Sequence, residues 1–315
     1  MGPYDAVVRA VVASVALLSL LSVAAASSGT SAPRGGLIAF SRCRPDGCGQ
    51  GTDLWVIRPD RSGLRRLTRS RTHNDAPSWS PDGRRLVFVG GATDSSQLWL
   101  IDSTGGHLEQ LTKGPALDEQ PDWSPDGKRI VFVRALSPTA QGLVLLNLRT
   151  HGQRLLVSLP GTYRHPTWSP DGRRIAFSYV RNQHTGRYAI YTVGFDGAGL
   201  RRISRKTRDD YWDPAWSPDG RSLAFTLVYR SGKGFRADLD VMRANGRGER
   251  TLARAPAGWA FFSPSWSPDS RSLVFVELHS SDRLGQISFV GADGQGLQRL
   301  AELQSDNRSP AWQPS

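Results

Sequence analysis

Apolar residues along the chain fall in short consecutive runs rather than at helical spacing. Six runs recur as equivalents: residues 37–40 (LIAF), 86–89 (LVFV), 130–133 (IVFV), 175–178 (IAFS), 223–226 (LAFT) and 273–276 (LVFV). Runs this short and this continuously apolar predict strands covered on both faces. Each is followed by a second run, at 54–57, 98–101, 143–146, 189–192, 239–242 and 286–289, and then by a turn that usually carries Gly. A segment with a polar middle comes next, clearest at 64–67 (LRRL), 108–111 (LEQL), 200–203 (LRRI) and 297–300 (LQRL). That pattern suits an outer edge strand, where charge discourages pairing with other chains.

Before each apolar run except the first stands one motif, Pro77-Ser78-Trp79-Ser80-Pro81-Asp82-Gly83 and its copies at 121–127, 166–172, 214–220 and 264–270, with a truncated form at 310–315. The Trp positions 79, 123, 168, 216, 266 and 312 are spaced by 44, 45, 48, 50 and 46 residues, the period of a four-stranded propeller blade. The Trp segment reads as the innermost strand, and Ser-Pro-Asp-Gly as the hairpin turn after it. Pro sets φ at the first corner, Asp bonds nearby amides, and Gly accepts positive φ. Ser270, at the Gly position, is the internal defect.

The expected fold is therefore all-β, a six-bladed propeller over residues 37–315. Its ring is closed by pairing the C-terminal Trp strand, Pro310 to Gln313, beside residues 37–40, because the chain enters at a second strand and stops after a first. Residues 1–26 read as a signal peptide: an apolar run from Val11 to Ala26 follows Arg9 and ends in three Ala before Ser27. The run is too short for a spanning helix, although retention as an anchor is the alternative. Residues 27–36 read as a disordered linker. The chain is thus expected to be exported, whether secreted, periplasmic or envelope-associated, with no transmembrane segment after signal cleavage.

The Pro-x-Trp-Ser-Pro-Asp-Gly motif followed by an apolar strand resembles the TolB-type, WD40-like (PD40) β-propeller repeat, over about residues 36 to 315. That family includes the periplasmic TolB propeller, which binds partner proteins, and propellers attached to serine peptidases. TolB carries an α/β domain before its propeller, and here only about ten linker residues separate the expected signal peptide from the first strand, so the resemblance is to the propeller alone.

Charge changes the picture little. The 315-residue chain has a net charge of +12, with 4 Lys among its 40 basic residues. Export argues against nucleic acid, and Arg in register with the repeats (Arg65, Arg66, Arg84, Arg85) fits solvated edges or an anionic cell-surface polymer. No cofactor is expected.

Candidate chemistry lies in the loops that end just before each repeat Pro, on the face opposite the uniform turns. Those connections are long and varied, as at 227–238 and 253–263. The residues divide into an aromatic arc (Tyr163, Tyr211, Trp212, Trp259, Phe261, Phe262) and a polar arc with Asp75, Asp118, Glu119 and Asp213. Exposed aromatics would favour a partner peptide or sugar face; packing between blades is the alternative. The binding set is taken as Tyr163, His165, Tyr211, Trp212, Asp213, Trp259, Asp75 and Glu119.

The function expected is a monomeric, non-catalytic module that binds an envelope or secreted protein at the channel mouth. The alternative is a metal-assisted glycan lyase or hydrolase, which requires His73, His165, Asp75, Glu119 and Asp213 to converge on one ion. Nothing supports a serine nucleophile, since Gly-x-Ser-x-Gly is absent. Cys43 and Cys48, the only cysteines, are expected to form a disulfide in an oxidising compartment. Thiol titration of the native exported protein should find no free thiol; two free thiols would remove the bond and reopen the question of compartment.

Overall fold

The computed structural model describes residues 36–44, 47–70, 72–92, 94–205, 209–231, 234–279, 284–300 and 306–314. The expected signal segment and nearly all of the expected linker lie outside the described residues. Every regular element described is a strand, and no described helix is long and apolar enough to cross a membrane.

The chain enters on β1 (Ile38–Arg44), β2 (Gly47–Ile57) and β3 (Arg65–Arg66). The next unit is β4 (His73–Trp79), β5 (Arg85–Gly91), β6 (Gln97–Asp102) and β7 (Glu109–Gln110), followed by β8 (Asp118–Trp123), β9 (Arg129–Ser137), β10 (Ala140–Asn147) and β11 (Gln153–Val157). Then come β12 (Thr162–Trp168), β13 (Arg174–Val180), β14 (Ala189–Gly194) and β15 (Arg201–Arg202), and β16 (Asp210–Trp216), β17 (Ser222–Ser231), β18 (Gly234–Arg243) and β19 (Arg250–Ala253). The chain ends on β20 (Trp259–Trp266), β21 (Ser272–His279), β22 (Gly285–Gly291), β23 (Gln298–Arg299) and β24 (Asn307–Trp312).

These strands make an all-β propeller of four four-stranded sheets and one sheet of eight. The expectation of six separate four-stranded sheets is corrected here. Units β16–β19 and β20–β23 run together because a parallel bridge joins Ala237 to Ala260. The Trp strands β4, β8, β12, β16, β20 and β24 pack each against the next in a closed cycle. Behind them, each second strand buries a Phe between neighbouring sheets: Phe40, Phe88, Phe132, Phe177, Phe225 and Phe275 are at most 1% exposed. Aromatic burial on this scale, repeated at each sheet interface, makes the core of the ring.

The repeated turn is held by its own side chains. Ser80 Oγ donates to Asp82 Oδ1 at 2.6 Å and accepts the Arg85 amide at 2.9 Å, while Asp82 Oδ1 also takes the Arg84 amide at 3.1 Å. Ser124 with Asp126, Ser169 with Asp171, Ser217 with Asp219 and Ser267 with Asp269 repeat the hydroxyl–carboxylate bond. The motif is structural, as expected. Ser270 adopts φ 60°, the conformation its Gly counterparts use, and its hydroxyl accepts the Asp219 amide of the preceding unit at 3.1 Å. That bond offsets part of the left-handed strain, which costs a non-Gly residue about 1 kcal/mol.

Closure occurs where the chain ends suggest. β24 pairs antiparallel with β1, Ile38 opposite Trp312 and Ala39 opposite Ala311. Gln313 then takes over where the truncated motif lacks Ser and Asp. Its Oε1 accepts the Leu37 amide and its Nε2 donates to the Gly83 carbonyl, both at 2.7 Å.

Two expectations about loops and edges are revised. The 227–238 connection is no loop, since β17 and β18 stay paired to Ser231 opposite Gly234. The edge arginines are not merely solvated: Arg65 donates to the Ser103 and Thr104 carbonyls of the next unit at 2.8 Å each, and Arg154 reaches Phe195 and Asp196 in the same way. Arg66 pairs with buried Asp53 at 2.6 Å. Cys43 is buried and disulfide-bonded, while the side chain of Cys48 lies outside the described residues.

Truncation after Ser309 removes the second half of the closing strand, with buried Trp312 and the Gln313 bonds, so it should lower Tm by roughly 10 °C or more, as expected for loss of a large core side chain. Gln313→Ala should cost less, about 1–2 kcal/mol for its lost hydrogen bonds. Thermal unfolding of the two variants checks this; an unchanged Tm for the truncated chain would contradict the clasp.

Candidate functional site

Each Trp strand carries a bulge just before its Pro, where its pairing with the second strand shifts register, as between Asp75 and Ser78 or between Arg164 and Thr167. The residue before Pro sits there at left-handed φ in all six strands: Ala76 50°, Gln120 52°, His165 44°, Asp213 52°, Ser263 52° and Ser309 50°. The distortion re-aims these positions and lets side chains reach the neighbouring unit. Gln120 Oε1 accepts the His165 amide at 2.9 Å, and Asp213 Oδ2 accepts the Ser263 amide at 3.0 Å. His165 Nδ1 meets Asp213 Oδ1 at 2.6 Å, and Gln120 Nε2 lies 3.4 Å from His165 Nε2. With the Gln amide donating to Nε2, the ring proton belongs on Nδ1, facing Asp213. Burial pushes the Asp213 carboxyl up, but His165 and Arg164 outweigh it and hold the group below its ordinary value.

One position earlier, the ring divides in two. On β12, β16 and β20 the residues are Arg164, Trp212 and Phe262, all buried. Trp212 stacks on Phe262 at 6.2 Å, and the Arg164 guanidinium lies 5.2 Å from Trp212 and 5.3 Å from Tyr188. On β24, β4 and β8 the equivalents are Arg308, Asp75 and Glu119, each partly exposed. Asp75 is tied down by Ser41 Oγ and by the Ala76 amide. Burial pushes the Glu119 carboxyl up, against the opposing pull of Arg164 and His165 and with the nearby charge of Asp75.

The expected binding set is thereby split. Tyr163, Tyr211 and Trp212 are at most 3% exposed and pack between units, so they are not displayed. They are buried because the strand start that carries them is stitched to the preceding unit, as where the Tyr211 amide donates to the Tyr188 carbonyl. Asp213 is buried as the partner of His165. Trp259 is half-buried away from this group, its ring contacted by His279 at 4.7 Å and by Arg299 at 4.9 Å. Asp75, Glu119 and His165 remain on the accessible arc, joined by Gln120 and Arg308, which the expected binding set left out. Their positions relative to Pro121 and Pro310 were the available signal. Among the described residues no three His, Cys, Asp or Glu side chains form a group able to hold a metal ion.

The fold and the motif together allow comparison with known proteins. The family model of the TolB beta propeller domain matches residues 49–141 and 143–315. The chain belongs to this TolB propeller family. Its structure is similar to that of TolB from Acinetobacter baumannii, with a TM-score of 0.76 at 23% identity, over 89% of this chain and 67% of that one. A putative TolB from Agrobacterium tumefaciens gives 0.67 at 22%, over 87% and 90%. An oligogalacturonate lyase solved with manganese gives 0.54 at 14%, over 84% and 73%. At these identities the likeness establishes the fold alone. No curated protein sequence matches the chain.

Below the arc, Asp122 accepts the Ser78 hydroxyl at 2.9 Å and the Trp168 amide at 2.8 Å, linking three TolB-family repeats. Burial pushes its carboxyl up to about 6, above those bonds' opposing effect. With an unfolded value near 4, the folded state holds this proton more tightly. Stability from this group is full below about pH 4 and is lost as pH rises through about 6. Melting curves from pH 4.5 to 7.5 should show that decline, worth up to about 4 °C. Asp122→Asn should lower Tm throughout and abolish this part of the slope; an unchanged slope would contradict the assignment.

Proposed function

We propose that this chain is an exported, monomeric and non-catalytic protein-binding propeller that holds a segment of an envelope or secreted protein against the polar arc at one end of its ring. We read the eight-stranded sheet as two blades sharing one bridge, and the whole as a six-bladed ring. The observation that carries the binding reading is the contrast at the ring's inner edge. One half is filled by buried Trp212, Phe262 and Arg164, while the other leaves Asp75, Glu119, Gln120, His165 and Arg308 partly exposed on adjacent strands.

Such an arc offers fixed carboxylates, an imidazole and an amide beside a rigid apolar wall, which suits the backbone and polar side chains of an extended segment. The bulges hold these groups before any partner arrives, so little ordering is required on binding. Membership of the TolB propeller family supports a protein partner. Export rests on the N-terminal apolar run and on that membership.

Affinity capture from envelope extract with the 37–315 protein tests this reading. Glu119→Gln should weaken the enriched partner at least about fivefold, the effect of one charge-assisted contact. Arg173→Gln, on the opposite turn face, should leave it within about twofold, as expected for a rim charge. Loss with Arg173→Gln and retention with Glu119→Gln would place binding elsewhere.

A further inference from the structure

A cavity of about 500 Å³ lies away from the ring's inner edge, between the β13–β14 connection and Pro160. Its chemistry is one-sided. Arg181, Arg187 and Arg202 line it together with Tyr179, Tyr191 and Asn182, and no carboxylate is among its lining residues. Arg187 is partly neutralised from behind by buried Asp210 at 3.4 Å. Arg181 is exposed and takes part in no ion pair among the described residues.

The walls are preformed. The Tyr179 hydroxyl donates to the Pro160 carbonyl at 2.7 Å, and Tyr179 meets Tyr191 edge-on at 5.4 Å. Tyr191 also stacks on Phe177 at 6.1 Å and is partly buried against the core, with part of its surface left accessible. The loop closes on itself through the Gly186 amide and the Asn182 carbonyl at 2.7 Å. A Cβ at Gly186 would come within 2.6 Å of that carbonyl oxygen, so the loop's shape depends on this glycine.

We propose that this cavity is a second binding site, independent of the polar arc, for a carboxylate-bearing sugar within an acidic polysaccharide. Guanidinium groups match a carboxylate through paired N–H donors, and the accessible part of the Tyr191 ring matches the C–H face of a pyranose. Asn182 and Thr185 supply polar groups for ring hydroxyls. The volume suits one or two sugar units, and the opening to solvent lets a polymer continue past it.

Calorimetric titration of the 37–315 protein with a galacturonate tetrasaccharide tests the proposal. The fully methyl-esterified tetrasaccharide and inorganic phosphate serve as comparison ligands. The free acid should bind, the ester should bind at least about tenfold more weakly, and Arg181→Gln should weaken the free acid by about tenfold, the range of a lost charge-assisted contact. Arg173→Gln should leave binding unchanged, and circular dichroism should show both variants folded. The proposal is overturned by equal binding of acid and ester, by phosphate binding as tightly as the sugar, by equal losses in both Arg variants, or by no binding of the acid. Because the polar arc contributes no residue, Glu119→Gln should bind the tetrasaccharide normally, which keeps this result separate from that of the partner capture.

Discussion

The pairing of β24 with β1 is the constraint on which the rest of the architecture depends. Each repeat unit is a small twisted sheet with apolar residues on both faces, and none can bury those faces alone. Stacking units in a circle solves this only if the last unit meets the first. Here the final Trp strand supplies the first position of the entry unit, so the ends of the chain share one sheet and no unit remains a terminal cap. Gln313 completes the join with a side-chain amide that reaches both Leu37 and Gly83, doing with one residue what Ser and Asp do in the other turns.

The same closure builds the candidate site. Packing Trp strands around a common axis crowds their starting ends, and the bulge before each Pro relieves the crowding by turning one residue into left-handed φ. Side chains at these positions then bond around the circle rather than only within their own sheets. At this level Trp212, Phe262 and the Arg164 stacked beside Trp212 are buried, whereas Asp75, Glu119 and Arg308 stay in contact with water. Polarity at the mouth follows from which residues occupy one structurally equivalent position on six strands.

Much of the fold was legible in the sequence because the repeat is read several times over. Strand positions, the hairpin turn, the closing strand and the family all follow from a motif whose Pro, Trp, Asp and Gly have separate geometric reasons. What escaped was information carried by tertiary contact. The bridge between Ala237 and Ala260 leaves no pattern, since neither residue differs from an ordinary strand position. Tyr163, Tyr211 and Trp212 sit in a connection that looks exposed, and only the stitching of each strand start to the preceding unit reveals that they are interior. Arg65 looked like a solvated edge charge because carbonyl acceptors on a neighbouring turn cannot be seen in one dimension.

Native-state hydrogen exchange tests the central claim of cooperative closure most directly. The Gln313 amide, bonded to the Leu37 carbonyl at 2.8 Å, and the β1 amides should open with the same free energy as amides of β9 and β13 on the far side of the ring, within about 1 kcal/mol. Exchange at β1 and β24 through local fraying, several kcal/mol below the global value, would contradict it and make the ends an accessory to a ring that holds without them.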